Sequence, residues 1–191
     1  MTIPVIVGST RHCRFSEKPA QWILRQLQKR AGIEGRLLDL RDFPMSFFDQ
    51  PMPRPCRAAR PTNMRWLRNG RNKSQPRMDL YSSRRNTTAA PSAVLKNAID
   101  WVYREWNRKA AAFVSYGGAL GARAVQQLRE TAIEIQLAPI RWSVHIPVAT
   151  LWAHFQGGDV DKGLAELDKQ ANVMIDDLLW WTAALKTARE G

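Results

Sequence analysis

The chain of 191 residues is long enough for one α/β domain with a full core and short for two. Hydrophobic residues at 45% exclude a disordered chain, and no apolar run reaches the roughly 18 residues that a transmembrane helix needs. The formal net charge of +12 is local, because residues 54–91 hold 10 of the 29 Lys and Arg with Asp79 as their single acid, which argues against a basic nucleic-acid-binding face.

In chain order, residues 3–7 form an apolar run of strand length, suited to a parallel strand buried on both faces. A loop over 8–18 follows. Ala20, Ile23, Leu24 and Leu27 then fall at helical spacing within 19–31, with Pro19 in the first turn and Gly32 at the end. Residues 34–40 read as a second strand, which completes a βαβ unit. Residues 93–108 form a helix with Val94, Leu95, Ala98, Ile99, Val102 and Trp106 on one side. A short strand over 110–115 turns at Tyr116, Gly117 and Gly118. A helix over 121–137, a strand over 139–146 and one long helix over 160–188 finish the chain. The pattern predicts an α/β fold, a doubly wound parallel sheet, within a single domain over 1–191.

One strand is missing from the count. Residues 54–91 offer neither an apolar run nor a steady period, so they read as a basic, disordered segment that disrupts the third strand.

Cys13 and Cys56 make no metal-ligand pattern and no disulfide framework. Residues 1–7 lack the basic region and cleavage site of a signal peptide, so a cytoplasmic protein with reduced thiols is expected. The loop at 8–18 is the strongest candidate site. It presents backbone N–H groups and a helix N-terminus to an anion, with hydroxyls from Ser9, Thr10 and Ser16 and charge from Arg11 and Arg14. Tyr116, Gly117 and Gly118 lie at the carboxyl edge of the sheet, where ligands of open α/β folds bind. His145 and His154 show no nucleophile or metal partner in the sequence, and structural roles are expected of them. Of the adjacent Trp180 and Trp181, at least one is expected to face away from the core, toward a partner chain.

The stretches VIVGSTR, FSEKPA, LLDLRDFP, SAVLKNAIDWVYREW and FVSYGGALGARAVQQLR resemble the NADPH-dependent FMN reductase family. These are flavodoxin-like enzymes that include quinone, chromate and azo-dye reductases. The resemblance implies a five-stranded sheet, non-covalent FMN and NADPH as hydride donor. A hydride would pass through FMN to a quinone, free flavin or metal oxyanion. It also implies that Ser9, Thr10, Arg11, Phe15 and Ser16 hold the phosphate and ribityl chain, that Tyr116, Gly117 and Gly118 meet the flavin ring, and that Arg123 meets the NADPH phosphate. No protein general base is expected to be essential and no metal site is expected. A homodimer or homotetramer is implied, without a nucleic-acid or membrane partner. The other readings are a flavodoxin-like electron carrier or redox sensor, and an inactive copy.

That last reading comes from the family's flavin loop, PEYN, which is absent here. Codons allowed for residues 76–90, read two nucleotides later, spell ADGFIFVTPEYNRG, an apolar strand followed by that loop. A frameshift over about 54–91 is the expectation that follows.

Overall fold

A computed structural model describes residues 1–49, 77–82, 90–102 and 105–191, the stretch 77–82 by its backbone. Strand β1 (Thr2–Val7) is followed by helix α1 (Glu17–Gln28), strand β2 (Glu34–Asp39) and a 3-10 turn at Leu40–Asp42. Strand β3 (Arg77–Ser82) precedes α2 (Ala93–Asp100), β4 (Ala110–Tyr116), α3 (Ala122–Glu134) and β5 (Ala138–Ile146). The chain continues through α4 (Val148–Gln156), α5 (Val160–Ala165) and α6 (Asp168–Glu190).

The five strands form one sheet in the order β2-β1-β3-β4-β5, all parallel. This is a doubly wound order that reverses direction between β1 and β3, and it places the candidate loops at the carboxyl edge beside that reversal. Alternation along each strand sends side chains to two cores. Val5 and Val7 of β1, with Val114 and Tyr116 of β4, pack under α1, α4, α5 and α6. Ile6 of β1 and Phe113 of β4 pack on the other face with Leu95 and Ile99 of α2 and Leu128 of α3. β4 is buried along its whole length, as a strand covered on both faces must be.

The third strand is present, which corrects the expectation that 54–91 abolishes it. Met78 and Leu80 alternate with Asp79 and Tyr81, and a period of two suffices for a strand without a continuous apolar run. β3 pairs with β4 over six positions, from Arg77↔Ala111 to Ser82↔Tyr116, but with β1 over three, Val5↔Met78 to Val7↔Leu80. The rest of the basic segment lies outside the described residues, apart from Ala90 and Pro91.

Other boundaries shift for local reasons. The predicted helix over 93–108 ends at Asp100, and Trp106 reaches the core from the following turn, where its indole donates to the Ile99 carbonyl at 3.3 Å. The single helix expected over 160–188 is two, α5 capped by the Asp159 carboxylate on the Lys162 N–H at 2.9 Å, and α6. α4 has no counterpart in the sequence reading. No described helix is long and apolar enough to cross a membrane.

Candidate functional site

The loop between β1 and α1 is fastened by its carbonyl groups. The Ser92 hydroxyl donates to the Gly8 carbonyl and also accepts the Leu95 N–H at 3.2 Å, which caps α2. The Arg14 guanidinium donates to the Ser9 carbonyl. Arg41, from the turn after β2, donates through Nε to the Thr10 carbonyl at 3.3 Å and through Nη2 to the Arg11 carbonyl. Four successive carbonyls are thus occupied by side chains from outside their own peptides. A trans peptide points its N–H opposite to its C=O, so the N–H groups of Ser9, Thr10, Arg11 and His12 turn away from these donors.

The charges behind the loop form a network. Arg14 is buried and meets Asp39 through Nη1–Oδ1 at 2.8 Å and a second contact from Nη2, and its Nε donates to Glu17 at 3.0 Å. Partial burial of Asp39 pushes its carboxyl upward, but the hydrogen bonds and charge of Arg14, with the Arg41 N–H, hold its pKa below the usual carboxylate value. Burial opposes the charged form of Arg14 as well, yet Asp39 and Glu17 raise its pKa. The positive charge that the sequence assigned to the site from Arg14 is spent on holding the loop shape. Arg11, by contrast, is exposed.

Ser16, at the N-cap of α1, is wholly buried. Its hydroxyl makes no cap bond and has no hydrogen-bond partner among the described residues. A buried hydroxyl left unmatched at a helix N-terminus is costly, and an anion bound there would accept its proton. Ser9 is also buried and Thr10 half-buried. Phe15 lies beneath the loop, 1% exposed, and packs edge-on against Tyr116 with ring centroids 4.7 Å apart. That contact joins the loop to the end of β4.

At the end of β4 the backbone enters conformations that side chains rarely adopt. Gly117 has φ 122°, and Ala119, Leu120 and Gly121 follow with φ 48°, 57° and 72°. Only glycine fits at 121, because a Cβ there would stand 2.9 Å from Ser115 Cβ and 3.0 Å from the Tyr116 carbonyl oxygen. Strain of this kind concentrates at ligand sites.

Between the two loops lies an open cavity of about 680 Å³, lined by Arg11, Gly117 and Gly118 together with Val148, Leu151, Trp152 and Phe155 of α4. That volume suits a flat organic ligand, and the lining is apolar and aromatic with one cation and glycine backbone. A smaller hollow of about 70 Å³ opens among Arg11 to Phe15, Tyr116 and Phe155. Of the residues expected at the site, the structure gathers Arg11, Phe15, Tyr116, Gly117 and Gly118 around these two hollows, while Ser9, Thr10 and Ser16 lie in the same loop as Arg11 and Phe15 and line neither. Arg123 stands exposed in the first turn of α3 and does not line this cavity.

The α4 residues were missed by sequence reasoning. Val148, Leu151, Trp152 and Phe155 do recur at helical spacing just after Pro147, a signal that could have been read. His145 has hydroxyl partners after all, Ser115 Oγ at 2.7 Å from Nδ1 and Ser143 Oγ at 2.9 Å from Nε2. His154 packs edge-on between Phe15 and Phe155.

A family profile described as NADPH-dependent FMN reductase matches residues 1–70 and 86–150. The chain belongs to the NADPH-dependent FMN reductase family. It is an oxidoreductase family whose cofactors are FMN and NAD(P)H. The chain is 28% identical over 147 residues to an NAD(P)H-dependent FMN reductase of Schizosaccharomyces pombe, covering 76% of this chain and 73% of the relative. It is 26% identical over 189 residues to the NAD(P)H-dependent FMN reductase ntnL of Nectria sp., covering 90% and 91%. Among solved structures, the flavoenzyme NAD(P)H:(acceptor) oxidoreductase FerB of Paracoccus denitrificans superposes with a TM-score of 0.62 at 21% identity, over 93% of this chain and 96% of that one, which supports the fold.

Proposed function

We propose that this chain is a single-domain FMN-binding reductase that takes a hydride from NADPH and delivers electrons to a quinone or similar flat acceptor. The observation that carries this reading is the buried, unmatched Ser16 hydroxyl beneath a loop whose carbonyls are already occupied. Every donor left in that loop suits a phosphate monoester, so the residues present fit FMN.

When bound, FMN supplies two-electron redox chemistry that no side chain has. The chain's own residues bind, orient and exclude water. Ser16, Thr10 and the loop N–H groups hold the phosphate end, and Arg11 adds charge at the rim. Gly117 and Gly118 let the backbone approach the ring without a Cβ in the way. Trp152, Phe155, Val148 and Leu151 give the acceptor an apolar wall, which favours flat aromatic acceptors and favours an enzyme over a pure electron carrier. Arg123 is exposed and free to meet the NADPH 2′-phosphate. A homodimer fits the outward Trp180 and Trp181, which are 64% and 40% exposed and pack edge-on against each other.

The test is a visible spectrum and FMN titration of the purified chain, followed by NADPH oxidation with and without a quinone. Bound FMN and quinone-dependent turnover are expected, and an Arg123→Ala variant should raise the KM for NADPH more than for NADH. A chain that neither holds nor takes up FMN would sink the reading.

A second reading, an inactive frameshifted copy, is favoured by one observation. The family profile skips residues 71–85, inside the basic segment. We propose that part of 54–91, the skipped residues 71–85 above all, is translated out of the family's frame, since the profile still matches 54–70 and 86–91. The nucleotide sequence decides: codons for 76–90 that cannot spell the PEYN string in another frame refute it.

A further inference from the structure

We propose that Ser115 and His145 are positioning residues for the flavin-side loop, acting through a hydrogen-bond chain from β5 to the Leu120 carbonyl. The proposal rests on the FMN-binding reading above. Ser115 and His145 are neighbours in register on β4 and β5, beneath the turn that follows β4. The wholly buried Ser115 hydroxyl donates to the Leu120 carbonyl at 2.8 Å. Its one hydrogen is therefore committed, and its contact with His145 Nδ1 at 2.7 Å requires Nδ1–H to donate to the hydroxyl oxygen. Nε2 is then free to accept from the Ser143 hydroxyl at 2.9 Å.

The chain of donors thus runs Ser143 to His145 to Ser115 to Leu120. The Ser115 bond fixes Nδ1 as protonated, and with a neutral ring the chain runs in this direction only. Burial, aided by the charge of Arg129, holds the imidazole pKa below its ordinary value against the upward pull of the Leu120 carbonyl, so the neutral ring is the stable form. A serine beside a histidine invites comparison with a nucleophile and its base. Here the serine is sealed from solvent and its proton points away from the histidine, so the pair has no route to that chemistry.

What the pair holds is the left-handed turn. Ala119 and Leu120 have side chains and positive φ, a combination that reverts unless its surroundings fix it. The Leu120 N–H donates to the Gly117 carbonyl at 3.0 Å, and the Leu120 carbonyl is fixed by Ser115. Both polar groups of one strained residue are therefore tied. Gly117 and Gly118, which line the cavity, sit within this closed ring of bonds. Releasing Leu120 lets the turn relax and moves the glycine backbone relative to the flavin ring.

The test compares wild type, Ser115→Ala, His145→Ala and His145→Asn by titration with FMN and with riboflavin, alongside thermal melting of the flavin-free proteins. Asn places an amide N–H near the position of Nδ1–H. Ser115→Ala and His145→Ala are expected to weaken both flavins alike, by about tenfold, as the loss of a buried ordering hydrogen bond implies, while His145→Asn restores most of the affinity. Equal loss with riboflavin separates a ring-side effect from a phosphate-side one. A purely structural pair would lower the melting temperature and leave flavin affinity unchanged, which overturns the proposal. If wild type itself binds no flavin, the functional reading falls and takes the proposal with it. Should the alanine variants fail to fold, ¹⁵N spectra of wild-type His145 decide: an Nδ1-protonated ring supports the chain, and an Nε2-protonated ring breaks it.

Discussion

The two ends of the candidate site are held by different means. At the proposed phosphate end, four carbonyls are tied by side chains from β2's following turn, from the start of α2 and from the loop itself, and two of the three residues are arginines backed by carboxylates. At the proposed ring end, three successive residues adopt left-handed conformations, held by a neutral serine and a neutral histidine. An anion needs donors aimed at a fixed point, and ionic ties to the carbonyls provide them without bringing negative charge inward. A flat ring needs bare backbone, and there the cost appears as strain.

Breaking the phosphate end should have the largest effect. Arg14→Leu strands Asp39 behind the loop and frees the Ser9 carbonyl, and a loss of about 3 kcal/mol is expected, read by urea unfolding, with FMN affinity lost as well. Wild-type stability in that variant would remove the contrast. Next, Gly121→Ala forces a Cβ against Ser115 at a positive φ and should cost about 2 kcal/mol, visible as a lower melting temperature with the Arg14 network intact.

Acid should act on both ends in turn: the His145 ring, held neutral with its pKa below the ordinary imidazole value, loses its contribution first as pH falls, and Asp39 responds at lower pH. The folded pKa of Asp39 lies below the ordinary carboxylate value, so its contribution is fully present above that value and disappears as pH falls through the folded pKa. Urea midpoints measured from neutral pH downward should fall more steeply for wild type than for Asp39→Asn. Parallel curves would show that Asp39 carries no such linkage. The smallest effect on stability is expected from Ser16→Ala, which removes a hydroxyl that has no partner. Its melting temperature should stay level or rise, while FMN binding weakens by roughly tenfold and riboflavin binding does not. Equal melting and equal FMN affinity would make Ser16 a bystander.

The strand, loop and helix that open the chain were legible because each rests on local pattern: residues 3–7 apolar, hydroxyls and glycine in the turn, then helical spacing to Leu27. β4 and its glycine turn were legible for the same reason. What escaped was contact between distant positions. Arg41 reaches back some thirty residues to the loop, Ser92 meets Gly8 across the switch in strand order, and His145 meets Ser115 because two parallel strands happen to be in register. No periodicity encodes these. β3 escaped for another reason, since its alternation is carried by two residues only, Met78 and Leu80. The wall of α4 escaped because its short apolar helix follows β5 without a side-chain cap to announce it.

The placement of the loop's fasteners has a bearing on mutational robustness. Arg14, Glu17, Asp39 and Arg41 precede residue 54, and Ser92 follows residue 91. A lesion confined to the intervening stretch, whether by insertion, deletion or altered reading, leaves every one of these side chains encoded. The proposed phosphate cradle, and with it the α4 wall and the glycine turn, is thus encoded wholly outside that stretch.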